Sequence, residues 1–510
     1  MKNSIQRLWR HDTAPLLALA LVMIAVHCVG SGSYGYFRDE LYYIACSKRL
    51  AWGYVDQPPL SIALLAATRA IFDDSAFAIR LPAAAAGGLC VVMVGLLARD
   101  LGGSRRAQWL AALAYVVMGT SLTIPTFFSM NVFDHLFWLA AMITIACLIR
   151  DDDPRLWLVF GLVIGLGLLN KLSIGFFVFA IVAALVMTDR RRLLWSRYAL
   201  GGAALAGLLF LPHLLWQLQH GLPTLEFVAN AQRFKIVAMS PTHYLAAQVL
   251  QSNPATLPVW ICGLAALLAA PSLNRFRAFG LAYLIVLGLF LVQQAKPYYL
   301  APAYPMLLAA AAVVIDQVSA QPAWRRLPGA VAAWLAVSGL FLAPYALPLL
   351  SPEAFVRYAR AVGLQAPRDE QQSTQELPQY LADRLGWTQL AATVARVYNA
   401  LPSQERERAT ILTGNYGEAG ALELFGLDYG LPQPISGHNN YWLWGPGPTN
   451  GDIVIAVGIP KTALAQAFES ITDAAVVAAP QAVEDEAPVF VCRGLRFPLG
   501  EAWAKLKRFI

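Results

Sequence analysis

Charge is scarce in this chain. Asp, Glu, Lys and Arg make up 14% of its 510 residues, while 58% are hydrophobic. Soluble domains carry roughly 25% charged residues, so this composition excludes a soluble enzyme and indicates a multi-spanning membrane protein. Cysteine is nearly absent as well. The six are Cys28, Cys46, Cys90, Cys147, Cys262 and Cys492, with no CxxC spacing, which argues against a disulfide framework or a zinc cluster. Cys46 and Cys492 are the only plausible external pair, and no bridge is expected between them. The chain also lacks a Walker loop, a dinucleotide-binding glycine pattern and an internal repeat of fixed period.

What abounds is apolar sequence. Runs long enough to cross roughly 30 Å of hydrocarbon lie near residues 14–30, 81–98, 107–124, 132–149, 156–170, 172–188, 198–216, 255–270, 278–294, 299–315 and 328–347, about eleven in all. Basic residues orient them. Lys2, Arg7 and Arg10 precede the first run, and Arg99, Arg105 and Arg106 follow the second. Arg150 and Arg155 follow the fourth, Arg190, Arg191, Arg192 and Arg197 the sixth, Arg275 and Arg277 the eighth, and Arg325 and Arg326 the tenth. Every second gap is therefore basic, which puts the N-terminus in the cytoplasm, and an odd number of crossings leaves the C-terminus outside. No small-residue cleavage site follows the first run, which reads as an uncleaved anchor.

Residues 1–350 read as the membrane domain and 351–510 as a soluble extracytoplasmic α/β domain. The tail carries 13 basic and 17 acidic residues, net −4, leaving +11 of the overall +7 to the membrane half. The basic balance thus belongs to cytoplasmic gaps rather than to a nucleic-acid surface. Strands are expected at Ala409–Leu412, Ile453–Val457, Ala474–Ala479 and Val489–Cys492, and helices at Gln379–Ala400, Glu418–Phe425 and Thr462–Ile471. Asn415-Tyr416-Gly417 is a turn signal, and Gly430–Gly447 a long aromatic, Gly/Pro-rich loop. Within it, Gly437–Trp442 has residue types that contact carbohydrate or simply pack. Ala502–Ile510 is basic and amphipathic, suited to returning to the membrane surface.

The polar residues gather in three outward segments, 31–80, 125–134 and 217–254. The first holds Asp39-Glu40 amid aromatics and two amphipathic stretches, Glu40–Leu50 and Pro59–Phe72, suited to the interface. Its acid pair reads either as a solvated loop pair with Arg38 as salt partner or as a general base. Asp56, before Pro58-Pro59, is either a helix N-terminal acid or a ligand for a metal or substrate hydroxyl. Asn131 suits a helix N-cap, whereas Asp134 and His135 fall inside the fourth span, where an acid is costly and tends to face a polar cavity. Lys171 is either a snorkelling lysine at a hairpin or a cation for a lipid phosphate. Lys296, beside Tyr298 and Tyr299, is an interfacial anchor or part of a phosphate clamp with Arg233 or Lys235. The short cytoplasmic gaps leave no room for a nucleotide-sugar domain, so group transfer would need a lipid-carried donor.

As an ordered set, RDELYY (38–43), YVDQPPL (54–60), NVFDH (131–135), LLNK (168–171) and KPYYLAPAYP (296–305) resemble the GT-C fold polyprenyl-phosphate-sugar glycosyltransferases. These are bacterial relatives of the dolichyl-phosphate-mannose protein mannosyltransferases and of the lipid A aminoarabinose transferases. The tail segment from Asn415 to Pro446 resembles the C-terminal domain of bacterial members. The resemblance implies a GT-C membrane enzyme of the plasma (inner) membrane, with a polyprenyl-phosphate-linked sugar as donor and a protein, lipid or glycan as acceptor. It implies Asp39 as catalytic carboxylate, accompanied by Glu40. Asp56 falls where the aminoarabinose transferases carry an acid associated with metal binding, so a divalent metal is the cofactor to test. Gln57 departs from the pattern, since those enzymes hold a phosphate-interacting lysine there; Lys296, Arg233, Lys235 or Lys171 must then grip the phosphate. The competing readings are a lipid-linked sugar flippase or transporter, which calls for inverted repeats, and a non-catalytic lipid-sugar binding protein.

Overall fold

The computed structural model describes residues 13–364 and 376–510. Lys2, Arg7 and Arg10, on which the orientation of the first run leans, lie outside the described residues. Helix dominates, and all eleven apolar runs fall on helical segments. By length and composition six helices among the described residues can cross a membrane: Ala76–Asp100, Met130–Asp151, Arg197–Gln219, Pro271–Val292, Pro297–Val318 and Pro322–Ala346. The number reaches eight, among the described residues, if Arg105–Val116 with Gly119–Thr126 and Pro241–Gln251 with Pro254–Ala269, bent by 70° and 96°, are each one span. Three further runs form helices of 17, 15 and 13 residues, Ala14–Gly30, Leu156–Asn170 and Ile174–Val186. These fall short of the roughly 20 residues an upright crossing needs.

The chain divides into two compact units. Among the described residues the first comprises 13–31, 77–215 and 237–349, and the second 32–76, 216–236, 350–364 and 376–510. In the first, Tyr304–Val318 is the central helix, almost wholly buried. The outer helices instead leave leucines such as Leu200 and Leu340 three-quarters exposed, a surface that water would not tolerate and lipid would. The N-cap of Met130–Asp151 is Ser129, whose hydroxyl accepts the Asn131 N–H at 3.3 Å. Asn131 therefore lies inside the helix, not at the cap expected for it, and its amide is turned to another partner.

The second unit is built on a five-stranded sheet: β1 (Ala409–Thr413), β2 (Ile435–Ser436), β3 (Ile453–Val457), β4 (Phe468–Val476) and β5 (Pro488–Leu495), in the order β2-β1-β3-β5-β4. β1 runs parallel to β2 and β3, while β5 is antiparallel to β3 and β4. β1 and β3 are buried at every position because both faces are covered, and β3 is a continuous apolar run. Ile411, Ile453, Ile455 and Val457 pack with helix Trp387–Asn399, and Leu412, Val454 and Ala456 with Leu464 and Phe490. Three expectations are corrected here. The helix expected over 379–400 is broken into Gln379–Ala382 and Trp387–Asn399 at Gly386, whose φ is +87°. The helix expected over 462–471 ends at Ala467, and the strand expected at 474–479 begins instead at Phe468, because 468–476 pairs along β5.

Segment Gly32–Ala76 contributes two helices to this unit, Arg38–Ser47 and Leu60–Ile71. The first packs on helix Tyr416–Phe425, and small residues make the approach possible. A Cβ at Gly420 would lie 2.8 Å from the Leu41 backbone, and one at Gly417 2.4 Å from the Arg38 side chain. Leu41 thereby joins the core beneath β1 and β3.

Candidate functional site

The acid pair opens a helix instead of sitting in a solvated loop. Glu40 is fully buried, and its carboxylate accepts the Phe37 N–H at 2.8 Å, so it caps the helix N-terminus. The Arg38 guanidinium pairs at 3.4 Å with buried Asp383. Asp39 is half-buried. Its Oδ1 accepts the Tyr416 hydroxyl at 2.8 Å, and among the described residues Oδ2 takes no hydrogen bond. Burial, with the nearby Asp39 charge second, pushes the Tyr416 hydroxyl well above its ordinary pKa, so it remains a donor.

A short relay runs beside this contact. The Tyr42 hydroxyl reaches Asp56 Oδ1 at 3.0 Å and Asn440 Oδ1 at 3.1 Å. One hydroxyl hydrogen cannot serve both acceptors, and a protonated Asp56 resolves the conflict by donating in turn. Burial is the main force raising the Asp56 carboxyl to about 7; the Tyr42 bond opposes it, and the Asp39 charge adds to it. Asn440 Oδ1 also accepts the Val55 N–H at 2.7 Å, which ties the Gly437–Trp442 loop to the acid-bearing segment. That loop is packed: Asn439, Asn440 and Tyr441 are all buried.

Tyr416 also lines a cavity of about 330 Å³, together with Arg38, Lys235, Arg508, His438, Asn415 and the glycines Gly414 and Gly458. Three cationic side chains converge there, and no carboxylate among the described residues lies within ion-pair distance of the Arg508 guanidinium. His438 is neutral, its pKa well below the ordinary value chiefly through burial. Its Nδ1 accepts the Tyr416 N–H at 3.3 Å and its Nε2–H donates to Ile510 O at 2.9 Å. The last residues are thereby tied to the Gly437–Trp442 loop. The Asn439 N–H donates to Arg508 O at 3.0 Å, and Trp442 and Trp503 each donate an indole N–H to the other's carbonyl, at 2.9 and 3.2 Å.

Other candidates stand apart from this constellation. Gln57 is wholly buried and neither atom of its side-chain amide has a partner among the described residues. Arg233 is exposed, 5.0 Å over the Phe234 ring. In the first unit, Lys171 donates to Asn131 Oδ1 at 2.9 Å, pairs with Asp134 Oδ2 at 3.5 Å and lies 4.6 Å over the Tyr299 ring and 5.9 Å over that of Tyr298. Ser173 donates to the same Asp134 oxygen at 2.7 Å. Lys171 thus points inward to a buried acid, neither snorkelling nor open to a phosphate. His135 Nδ1 faces the Tyr115 hydroxyl at 3.2 Å, and Lys296 is half-buried at the start of the Pro297–Ala303 turn. All six cysteines are free. Among the described residues no three His, Cys, Asp or Glu side chains gather as a metal-holding group. Asp56 is instead engaged by Tyr42, so the residues present do not fit a metal site.

Sequence reasoning gave no individual role to Tyr42, Tyr416 or Arg508, while His438 and Asn440 lie in the Gly437–Trp442 loop that it singled out as able to contact carbohydrate or to pack. The turn signal at Asn415-Tyr416-Gly417 was the one local mark of Tyr416.

Residues 56–216 match the family described as dolichyl-phosphate-mannose-protein mannosyltransferase. A lipid A galacturonosyltransferase, RgtD, of Rhizobium johnstonii is 27% identical over 206 residues, 40% of this chain and 43% of the relative. The undecaprenyl phosphate-alpha-4-amino-4-deoxy-L-arabinose arabinosyl transferase of Aeromonas salmonicida is 31% identical over 145 residues, 28% of this chain and 26% of the relative. The matches thus span less than half the length of either. ArnT from Cupriavidus metallidurans bound to undecaprenyl phosphate superposes with a TM-score of 0.64 at 15% identity, covering 94% of this chain and 98% of that one. Its apo form gives 0.62 at 14%. This likeness establishes the fold.

Proposed function

We propose that this GT-C-fold relative of the protein mannosyltransferases and aminoarabinose transferases is an integral membrane glycosyltransferase. It moves a sugar from a polyprenyl-phosphate donor to an acceptor on the extracytoplasmic face, with eleven crossings, a cytoplasmic N-terminus and an external tail. One observation carries the reading: a carboxylate with one oxygen fixed by Tyr416 and the other open, where the same tyrosine lines a cavity holding three cationic side chains.

In a single displacement, the acceptor oxygen bonds to the anomeric carbon as the carbon–oxygen bond to phosphate breaks, inverting that centre. Asp39 Oδ2 takes the acceptor proton, and the bonding pair leaves with the polyprenyl phosphate. Negative charge grows on that phosphate, and Arg38, Lys235 and Arg508 stabilise it more strongly in a partly dehydrated cavity than in water. Glu40 positions the helix that carries Asp39. Asp56, neutral for part of the time near pH 7, keeps a second full charge away from the base. No step is routed through a metal.

The test is transfer by purified full-length protein in nanodiscs supplied with a panel of undecaprenyl-phosphate sugars and envelope acceptors. Wild type releases free undecaprenyl phosphate and glycosylates one acceptor class; Asp39→Asn, folded, does not. Movement of labelled donor across sealed vesicles without phosphate release would favour a flippase and overturn the proposal.

A further inference from the structure

Residues 506–510 carry Arg508 into the cationic cavity, and two separate elements hold them there. One is the loop around His438. The Arg508 N–H donates to Gly437 O at 2.8 Å and Arg508 O accepts the Asn439 N–H at 3.0 Å, a parallel bridge. The Ile510 N–H donates to Asn439 Oδ1 at 3.1 Å. Gly437 makes the approach possible, because a Cβ there would lie 2.0 Å from Leu506 O. Arg508 and Ile510 line the cavity. Lys507 and Phe509 alternate with them, as in any extended segment, and contact other partners. Phe509 is 2% exposed and lies edge-on to the Trp442 ring at 5.6 Å.

The second element is helix Pro223–Phe234. Glu226 and Asn230 stand four residues apart and so share one face of it. Asn230 Nδ2 donates to Phe509 O at 2.8 Å, and the Lys507 ammonium pairs with Glu226 Oε2 at 2.6 Å. The two contacts are unequal. The partners of the ion pair are 33% and 42% exposed, and pairs of that kind contribute little. The Asn230 amide instead grips the main chain of a buried residue, directly next to Arg508. Neither Glu226 nor Asn230 lines the cavity, but Phe234 and Lys235, at the end of the same helix, do. One helix thus sets where two of the cavity's three cationic side chains stand relative to each other.

We propose that Asn230 is a positioning residue: its hydrogen bond to the Phe509 carbonyl clasps residues 506–510 against helix Pro223–Phe234, so that Arg508 and Lys235 meet one phosphate group together. The Glu226–Lys507 pair adds a minor second tie. Asn230 touches no substrate. Its consequence for phosphate binding rests on the reading of the cavity given above; the clasp itself does not. Cations stabilise a phosphate best when they are set around it beforehand, since ordering them on binding costs part of the gain. Asn230 is uncharged, so its removal leaves the charge of the cavity unchanged and acts through where Arg508 stands.

Two measurements on the full-length protein in detergent test this. The first is amide hydrogen exchange. Asn230→Ala speeds exchange over residues 506–510 about ten-fold, while β3 keeps its wild-type protection. Unchanged exchange over 506–510, or equally faster exchange in β3, overturns the clasp. The second is binding of radiolabelled undecaprenyl phosphate. Asn230→Ala weakens it about ten-fold, and in an Arg508→Gln background it changes nothing further. Equal affinity in wild type and Asn230→Ala, or losses that add across the two substitutions, overturns the positioning role. If wild type binds no undecaprenyl phosphate while the exchange result holds, the phosphate reading of the cavity falls and the clasp stands.

Discussion

Asp39 and Asp134 are both acids in or beside a membrane-facing segment, yet their surroundings differ in kind. Asp134 is buried at the start of an apolar helix and one of its oxygens meets both the Lys171 ammonium and the Ser173 hydroxyl. A carboxylate neutralised by a fixed cation has little reason to take a proton from a substrate, and its removal chiefly strands the cation. Asp39 has a neutral donor on one oxygen, no hydrogen-bond partner among the described residues on the other, and partial access to solvent. Such a group can accept a proton. The contrast teaches that an acid's partners, more than its depth in an apolar sequence, separate a base from a brace.

The largest effect expected on this contrast is at the base. Asp39→Asn lowers kcat by about 10²–10⁴-fold with little change in thermal unfolding; an intact rate in the nanodisc assay would remove the distinction between the two acids. On the other side, Lys171→Met leaves Asp134 buried and uncompensated, at a cost of about 3–5 kcal/mol. Denaturant unfolding in detergent reads it, and the double variant Asp134→Asn/Lys171→Met should recover most of the loss. If Lys171→Met unfolds like wild type but loses transfer, the pair belongs to the chemistry and not to the frame.

Tyr416→Phe sharpens the comparison more finely. It removes one hydrogen bond to a charged group, about 1.5–3 kcal/mol, and kcat should fall roughly 10–100-fold while donor KM holds. The smallest effect is the pH dependence set by Asp56. Its folded carboxyl sits at about 7 against an ordinary 3.8, so the folded state binds more protons than the unfolded one between those values. Stability therefore declines as pH rises from 4 to 7, and the full cost is present above 7. Asp56→Asn should melt like wild type at pH 4 and at higher temperature at pH 8; equal melting temperatures at both would show that Asp56 is ionised without penalty.

Much of the frame was legible. β3 was expected over Ile453–Val457 and is found there, because a short apolar run covered on both faces needs no knowledge of its neighbours. The break at Lys171 between two apolar helices was readable for the same reason. The end of helix Lys461–Ala467 was not, since Phe468–Ile471 continues a helical pattern and becomes strand only by pairing along β5. Asn131 was misread as a cap because Ser129, two residues earlier, competes for the same role.

At the site, sequence alone marked Asp39, Asp56 and Lys235 as residues with chemistry to offer, and it determined that the chain must live in a bilayer, since so little charge and so much apolar length cannot be hydrated. Only the tertiary structure decided the partners. Tyr416 reaches Asp39 across 377 residues, Arg38 pairs with Asp383, and Lys171 is taken by Asp134. Burial is written locally in composition, whereas a hydrogen bond depends on which helix docks on which. Here that docking hangs on two glycines, Gly417 and Gly420, whose missing side chains let helix Arg38–Ser47 come close enough for the carboxylate to be held.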